Sequence, residues 1–300
     1  MSRFSIAGIQ MQVTTHNNIA AMRQRMEILF HLYPWVQMVV FSELAPHGPV
    51  IQHAQPAGGT IESDLCDLAR SFDCWLIPGS YFERDGDAIY NTTPVIDPAG
   101  NVVTRYRKIF PFTPYEQNVT PGSEFCVFDV PEIGRFGVSI CYDLWFPEVT
   151  RTLTSMGAEV LINPVMASFV DRPADLAIAQ GSAAMFQSYI FHINGLVAGG
   201  NGYSMVIDPA GQILHRGSVQ EEMIPIEVDF ELVRRQRCEG VLRMGQPLKS
   251  FRDNKLSFPV YGPHFDRSYL DSLGPLEKPN RERMMPPTRE SEHKLRMAAR

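Results

Sequence analysis

The chain has 300 residues, 44% hydrophobic and 20% charged, with a formal net charge of −6. That balance belongs to a folded globular chain, and with no basic stripe to offset the negative charge it argues against nucleic acid as a main partner. No apolar run reaches the ~20 residues of a membrane-spanning helix, and no signal-type apolar region precedes the strand-like Phe4-Ser5-Ile6-Ala7-Gly8-Ile9. No membrane partner and a cytoplasmic location are therefore the expectations.

Strand-like and helix-like segments alternate. The first helix is expected to start at Asn17 or Asn18, both good capping residues, and to bury Ile19, Met22, Met26, Leu29 and Phe30. A strand over 38–41 follows, running into Ser42-Glu43. Next come a helix over about 62–72, with the stripe Ile61, Leu65, Leu68, Ala69 and Phe72, and the strand Trp75-Leu76-Ile77. Two strands flank the turn Asp97-Pro98-Ala99-Gly100-Asn101, and the second, Val102 to Arg107, leads to Lys108. Farther on, the apolar run Phe136-Gly137-Val138-Ser139-Ile140 is closed by Cys141. A polar turn and a helix start, Tyr142 to Glu148, come after it. Val160-Leu161-Ile162 reads as a strand. The stripe Ile178, Ser182, Met185, Phe186, Tyr189 and Ile190 predicts a helix over 178–193 that contains His192.

The second half repeats the first. Val95-Ile96-Asp97-Pro98-Ala99-Gly100 recurs 111 residues later as Val206-Ile207-Asp208-Pro209-Ala210-Gly211. Upstream, 4–9 corresponds to 136–140, 38–41 to 160–162, and the stripe at 61–72 to the one starting at Ile178. Two copies of β-α-β-α followed by a hairpin predict an α/β protein. Its fold class is a four-layer α-β-β-α sandwich, two sheets packed face to face with helices outside. The expected domain covers 1–270. Residues 271–300 form a polar C-terminal tail, in which Lys278 to Arg300 carries three prolines and many charges. Either disorder or an arm ordered against a partner subunit fits that composition.

Cys141 ends a buried strand and faces the start of the next helix, a position that favours a thiolate. The other cysteines, Cys66, Cys74, Cys126 and Cys238, have irregular spacing, and no Cys-x-x-Cys or His-x-x-x-His pair suggests a zinc site. A thiolate attacking a carbonyl needs a base for its proton and a donor for the oxyanion. Of the eight histidines, His47 is the best candidate, being close to Glu43 but in a loop. Glu43 is better placed, because a carboxylate after a continuous apolar strand is desolvated toward a proton-shuttling pKa. Lys108 opposes that shift and offers a cationic donor beside the backbone N–H of Tyr142. Singly each is an ordinary strand-end charge; with Cys141 they occupy equivalent places in a repeated architecture.

These segments resemble the nitrilase superfamily of carbon–nitrogen hydrolases over roughly residues 4–260. Phe41-Ser42-Glu43 is similar to that family's glutamate segment and Tyr106-Arg107-Lys108-Ile109 to its lysine segment. Gly137 to Asp143, followed by Phe146-Pro147-Glu148, resembles its cysteine segment. Pro114-Tyr115-Glu116 matches the loop where many members carry a second active-site glutamate.

The resemblance implies a small amide or carbamoyl substrate, no metal or organic cofactor, and a homodimer or larger homo-oligomer. It implies Cys141 as nucleophile, Glu43 as base and acid, Lys108 and the Tyr142 N–H as oxyanion donors, and Glu116 as a helper in water activation or in orienting Lys108. Phe112, Tyr115, Trp145, Asn163, Pro164 and Met166 flank these segments and are the expected pocket lining.

Two departures narrow the branch. Tyr142-Asp143 stands where nitrile hydrolysers carry Trp-Glu, which looks like the amidase and carbamoyl-hydrolase branches. Phe191-His192-Ile193-Asn194-Gly195 replaces the Arg-Ala-x-Glu-Asn helix end of many relatives. Alternatives are nitrile hydrolysis, acyl transfer to an amine, and a non-catalytic binding or scaffold role. An α/β-hydrolase elbow is disfavoured, since Cys141 stands where Gly-x-Ser-x-Gly requires its last glycine.

Overall fold

The computed structural model describes residues 3–168 and 172–278 of the chain. From residue 279 onward the expected tail lies outside the described residues. One compact unit runs up to Pro111 and resumes from Asn118 to Lys255; a second contains Phe112–Gln117 and the described chain from Leu256 to Lys278.

In the first half of the larger unit the order is β1 (Arg3–Gln10), a short β2 (Gln12–Val13), α1 (Ile19–Leu32), β3 (Met38–Phe41), α2 (Thr60–Phe72), β4 (Trp75–Ile77), β5 (Tyr81–Asp85), β6 (Ala88–Ile96) and β7 (Val102–Arg107). The second half contributes β8 (Cys126–Val130), β9 (Gly134–Val138), α3 (Pro147–Ser155), β10 (Val160–Val165), α4 (Arg172–Phe186) and β11 (Tyr189–Asn194). It continues with the short β12 (Leu196–Val197) and β13 (Gly200–Asn201), then β14 (Met205–Ile207), β15 (Ile213–Arg216), β16 (Glu222–Asp229) and α5 (Phe230–Glu239). The first sheet has the order β16-β1-β3-β4-β6-β5, with β7 also on β6; the second has the order β15-β14-β11-β10-β9-β8. In each, three parallel strands (β1, β3, β4 and β9, β10, β11) are followed by an antiparallel hairpin.

Alternation along the strands sets the layers, because successive side chains point to opposite faces. Phe4, Ile6, Met38 and Val40 pack against Phe136, Val138, Ile162 and Phe191 between the sheets. Ala7, Ile9, Val39 and Phe41 face the other way, onto Met22, Met26, Leu65 and Leu68 of α1 and α2. Leu161 and Ile190 do the same in the second sheet, meeting Leu153, Ala179 and Ala183 of α3 and α4. The expected four-layer α-β-β-α sandwich is the fold.

The repeat extends to backbone geometry. In both hairpin turns an aspartate N–H reaches across the turn, Asp97 to Asn101 O and Asp208 to Gln212 O, each at 2.9 Å. Gly100 and Gly211 close these turns with φ of 79° and 84°, the left-handed region glycine enters without cost. Both hairpins shift register at the same point, Val95/Ile96 and Val206/Ile207.

One expectation fails. The helix predicted over 178–193 ends at Phe186, and Tyr189, Ile190 and His192 lie on β11. Gln187 turns the chain at φ 48°, and every residue of Tyr189–Asn194 is buried. A strand buried on both faces is rich in apolar residues, so Tyr189 and Ile190 extend a helical stripe by chance. Among the described residues no helix is long and apolar enough to cross a membrane.

Phe136 is the hub between the sheets, with ring centroids 5.7 Å from Phe4, 5.2 Å from Phe128 and 5.6 Å from Phe230. Phe136→Ala should cost about 3–5 kcal/mol of stability, measured by denaturant unfolding; a loss under about 1 kcal/mol would place the inter-sheet core elsewhere.

Candidate active site

Glu43 follows β3, Lys108 follows β7, and Cys141 opens the 3₁₀ turn Cys141–Trp145 after β9. Lys108 Nζ donates to Glu43 Oε1 at 2.8 Å, with side-chain exposures of 1% and 2%. Asn91 Nδ2 donates to the same oxygen at 2.8 Å. Asn91 is in turn fixed by the β6–β7 ladder, because its carbonyl accepts from the Lys108 N–H at 2.9 Å. The Glu43 N–H donates to the Val165 carbonyl at 3.2 Å, tying the end of β3 to β10 in the other sheet.

Cys141 has φ 45°, a left-handed conformation that costs a non-glycine residue ~1–3 kcal/mol and persists only where surroundings enforce it. Asp143 supplies part of that enforcement. Its Oδ2 accepts from the Ile140 N–H at 2.8 Å and the Tyr106 hydroxyl at 2.7 Å, and its Oδ1 from the Phe110 N–H at 2.8 Å. One carboxyl therefore binds the cysteine turn to residues on both sides of Lys108. Burial holds the Cys141 thiol well above its ordinary pKa, and the Glu43 charge adds to this; Lys108 and a backbone hydrogen bond from Met166 oppose it, while Asp175 reinforces it. The glutamate and lysine charges thus both act on Cys141, and the resting sulfur keeps its proton.

The model of the carbon–nitrogen hydrolase family matches residues 5–237. The chain belongs to the carbon–nitrogen hydrolase family. It is 27% identical over 252 residues to the omega-amidase NIT2 of Pongo abelii, covering 77% of this chain and 90% of that protein. With the omega-amidase NIT2 of Homo sapiens it shares 26% identity over 251 residues, with the same coverage. Its structure is similar to that of Saccharomyces cerevisiae Nit3, a member of branch 10 of the nitrilase superfamily. There the TM-score is 0.74 and the identity 25%, over 79% of this chain and 94% of that one. An amidase from Nesterenkonia sp. shares the fold at TM-score 0.69 and 21% identity, over 79% and 94% of the two chains.

Within this carbon–nitrogen hydrolase, Tyr142 meets Phe146 edge-on at 5.1 Å and Trp145 at 5.9 Å. Met166 packs by its side chain against Leu44, Phe82 and Val119. Asn163 is fully buried and hydrogen-bonded to Ser139 and His192. Phe112, Tyr115 and Glu116 belong to the second unit. There Glu116 Oε2 accepts from the Phe112 N–H at 2.5 Å, Phe112 stacks on Tyr115 at 5.1 Å, and Lys278 Nζ lies 4.8 Å from the Tyr115 ring centre. His47 lines a cavity of about 420 Å³ with His16, His53 and Gln55. Burial first, and then neighbouring His53, lower its pKa. Sequence reasoning missed Asn91, the hydrogen bonds of Asp143, and Asp175 with Arg172 and His192. Among the described residues no group of three or more His, Cys, Asp or Glu could hold a metal ion.

Burial raises the Asp143 carboxyl to about 6, against the downward pull of Lys108 and of its three hydrogen-bond donors. This lies above the ~4 of an unfolded aspartate, so the stability it contributes is full below about pH 4 and is lost as pH rises through about 6. Asp143→Asn abolishes that titration and turns an amide donor toward other donors. The stability of wild type relative to the variant should therefore fall by up to about 3 kcal/mol between about pH 4 and 6.5. Urea unfolding of both proteins across that range checks this; parallel curves would rule it out.

Proposed function

We propose that this carbon–nitrogen hydrolase cleaves a small primary amide or N-carbamoyl compound to an acid and ammonia or an amine, through an acyl thioester on Cys141. The reading is carried by the buried Lys108–Glu43 pair, whose two charges both act on a partly accessible Cys141. Similarity to omega-amidases supports an amide substrate.

Because the resting thiol holds its proton, attack requires a base, and Glu43 takes that role. As Sγ attacks the carbonyl carbon, its proton passes to Glu43 and the carbonyl π pair moves to oxygen. Lys108 Nζ and the Tyr142 N–H receive the oxyanion. Collapse returns that pair to the carbonyl and breaks the C–N bond, while Glu43 protonates the departing nitrogen. Water then gives a proton to Glu43 and attacks the thioester; collapse breaks the C–S bond, the Glu43 proton returns to Sγ, and the acid leaves. Through each step one negative charge relocates beside a fixed lysine, which avoids creating an unpaired buried charge. A primary amide also offers N–H donors to the Glu43 carboxylate, whereas a nitrile offers none. That, with Tyr142-Asp143 in place of Trp-Glu, favours amides over nitriles. A homodimer or larger assembly belongs to the same proposal.

Cys141→Ala should abolish ammonia release from small amides while leaving thermal unfolding within a few degrees of wild type. Lys108→Met should slow the chemical step by about two to three orders of magnitude, and Glu43→Gln should be slower still. Measurable turnover by Cys141→Ala would end the covalent reading. A higher kcat/KM for a nitrile than for its matching amide would replace the amidase reading by a nitrilase one.

A further inference from the structure

Behind the turn that carries Cys141, side chains form a path of hydrogen bonds that leaves the backbone at Ser139 and rejoins it at Trp145. Asn163 Nδ2 donates to Ser139 Oγ at 2.9 Å. Asn163 Oδ1 lies 2.7 Å from His192 Nδ1, and His192 Nε2 lies 2.9 Å from Asp175 Oδ2. Trp145 Nε1 donates to Asp175 Oδ1 at 3.1 Å. Strand register brings the members together. Asn163 is paired with His192 across β10 and β11, and Ser139 follows Val138, the partner of Ile162. Leu161 and Ile190 face α3 and α4, so Asn163 and His192, each two residues farther along its strand, face α4 as well. Asp175 lies on the first turn of that helix.

The donors along this path have fixed directions. Asn163 turns its amide NH₂ to Ser139, so its carbonyl accepts, and His192 Nδ1 must carry a hydrogen. Nε2 then faces two neighbours with opposite needs. Arg172 Nη1, at 2.7 Å, needs a lone pair; Asp175 Oδ2 needs a proton. A neutral ring satisfies Arg172, and an imidazolium satisfies Asp175. Arg172 is itself bonded to Asp175 and, at 2.6 Å, to the Tyr203 carbonyl. Asp175 and Arg172, both on α4, are the charged groups acting on His192; β10 and β14 beside it present none among the described residues. Burial lowers the ring below its ordinary pKa, with Asp175 opposing.

We propose that this path positions the nucleophile: Asp175, oriented by His192 and Arg172, holds Trp145 and thereby sets the pitch of the turn that presents Cys141 to Glu43 and Lys108. The left-handed Cys141 needs restraint from both sides. Asp143 restrains it from the lysine strand and Asp175 from α4. Protonation of His192 moves its Nε2 contact from Arg172 to Asp175 and so loosens the hold on Trp145. Ser139, Asn163, His192 and Asp175 are positioning residues that act through the turn. The proposal rests on Cys141 being the nucleophile.

Three variants test it. Trp145→Phe removes the indole N–H at one end, and Ser139→Ala removes the hydroxyl at the other. His192→Gln keeps a donor for Asn163 and an acceptor for Arg172 but cannot gain a proton. The readouts are kcat and KM on a small amide, and the rate of iodoacetamide alkylation of Cys141 against exposed Cys238 in the same molecule by peptide mass spectrometry. Trp145→Phe should lower kcat about tenfold or more with KM within about threefold, and slow Cys141 alkylation alone. His192→Gln should stay near wild type at neutral pH and lack the wild-type decline in the Cys141-to-Cys238 alkylation ratio toward about pH 5. If Trp145→Phe and Ser139→Ala are folded and both stay within about twofold of wild type, positioning is wrong. Should either not fold, the His192→Gln profile decides: overlay with wild type at every pH overturns the proposal. If Cys141→Ala still turns over the same amide, the nucleophile reading itself has failed.

Discussion

The buried pair between Lys108 and Glu43 is the constraint around which the rest of the larger unit is arranged. Each charge alone would cost several kcal/mol to remove from water, and only a close, hydrogen-bonded partner offsets that. The ends of β3 and β7 must therefore meet within hydrogen-bonding distance although 65 residues separate the two side chains. The β6–β7 ladder does this by seating Asn91 beside Lys108 and turning its amide onto the same glutamate oxygen. The Glu43 N–H then fixes that end of the first sheet to β10 of the second.

Three buried carboxyl groups surround the cysteine, and each behaves according to what it faces. Glu43 faces an ammonium and an amide. Asp143 is hydrogen-bonded by neutral donors, and burial outweighs these and the more distant Lys108 charge, so its pKa rises to about 6. Asp175 is also penalised by burial, but His192 and Arg172 overcome this and bring it down to about 2. Chemically similar side chains thus acquire different duties, and the difference comes from neighbours supplied by other elements.

That dependence on neighbours explains what could be read from the sequence. The duplicated Asp-Pro-Ala-Gly turn carries its conformation locally, so the repeat and the hairpins were visible in the letters, and five of the six parallel strands, all but β11, were visible from their apolar runs. Glu43, Lys108 and Cys141 were visible because each punctuates such a run. Asn91 sits in Tyr90-Asn91-Thr92-Thr93, where nothing local separates it from an ordinary strand residue. His192 was hidden by the helix predicted over 178–193. On a helix it would be one residue of a stripe; on β11 it faces Asn163 and Asp175. The grouping of Phe112–Gln117 with the chain beyond Leu256 has no counterpart in local pattern, since it joins segments more than a hundred residues apart.

The pairing of β16 with β1 fixes when the protein can be completed. β1 leaves the ribosome long before β16, and one of its edges is taken by β3 soon after. Its other edge is matched residue for residue, from Arg3 opposite Asp229 to Gln10 opposite Glu222, by a strand that emerges only after every strand of the second sheet. Until then the nascent first sheet presents an open, largely apolar border, the kind of surface that invites pairing with another chain. Closing it joins segments of high sequence separation, which is slow. β1 is thus among the last strands of the sheet to be finished, and until β16 arrives its open edge is the part of the nascent fold most exposed to mispairing.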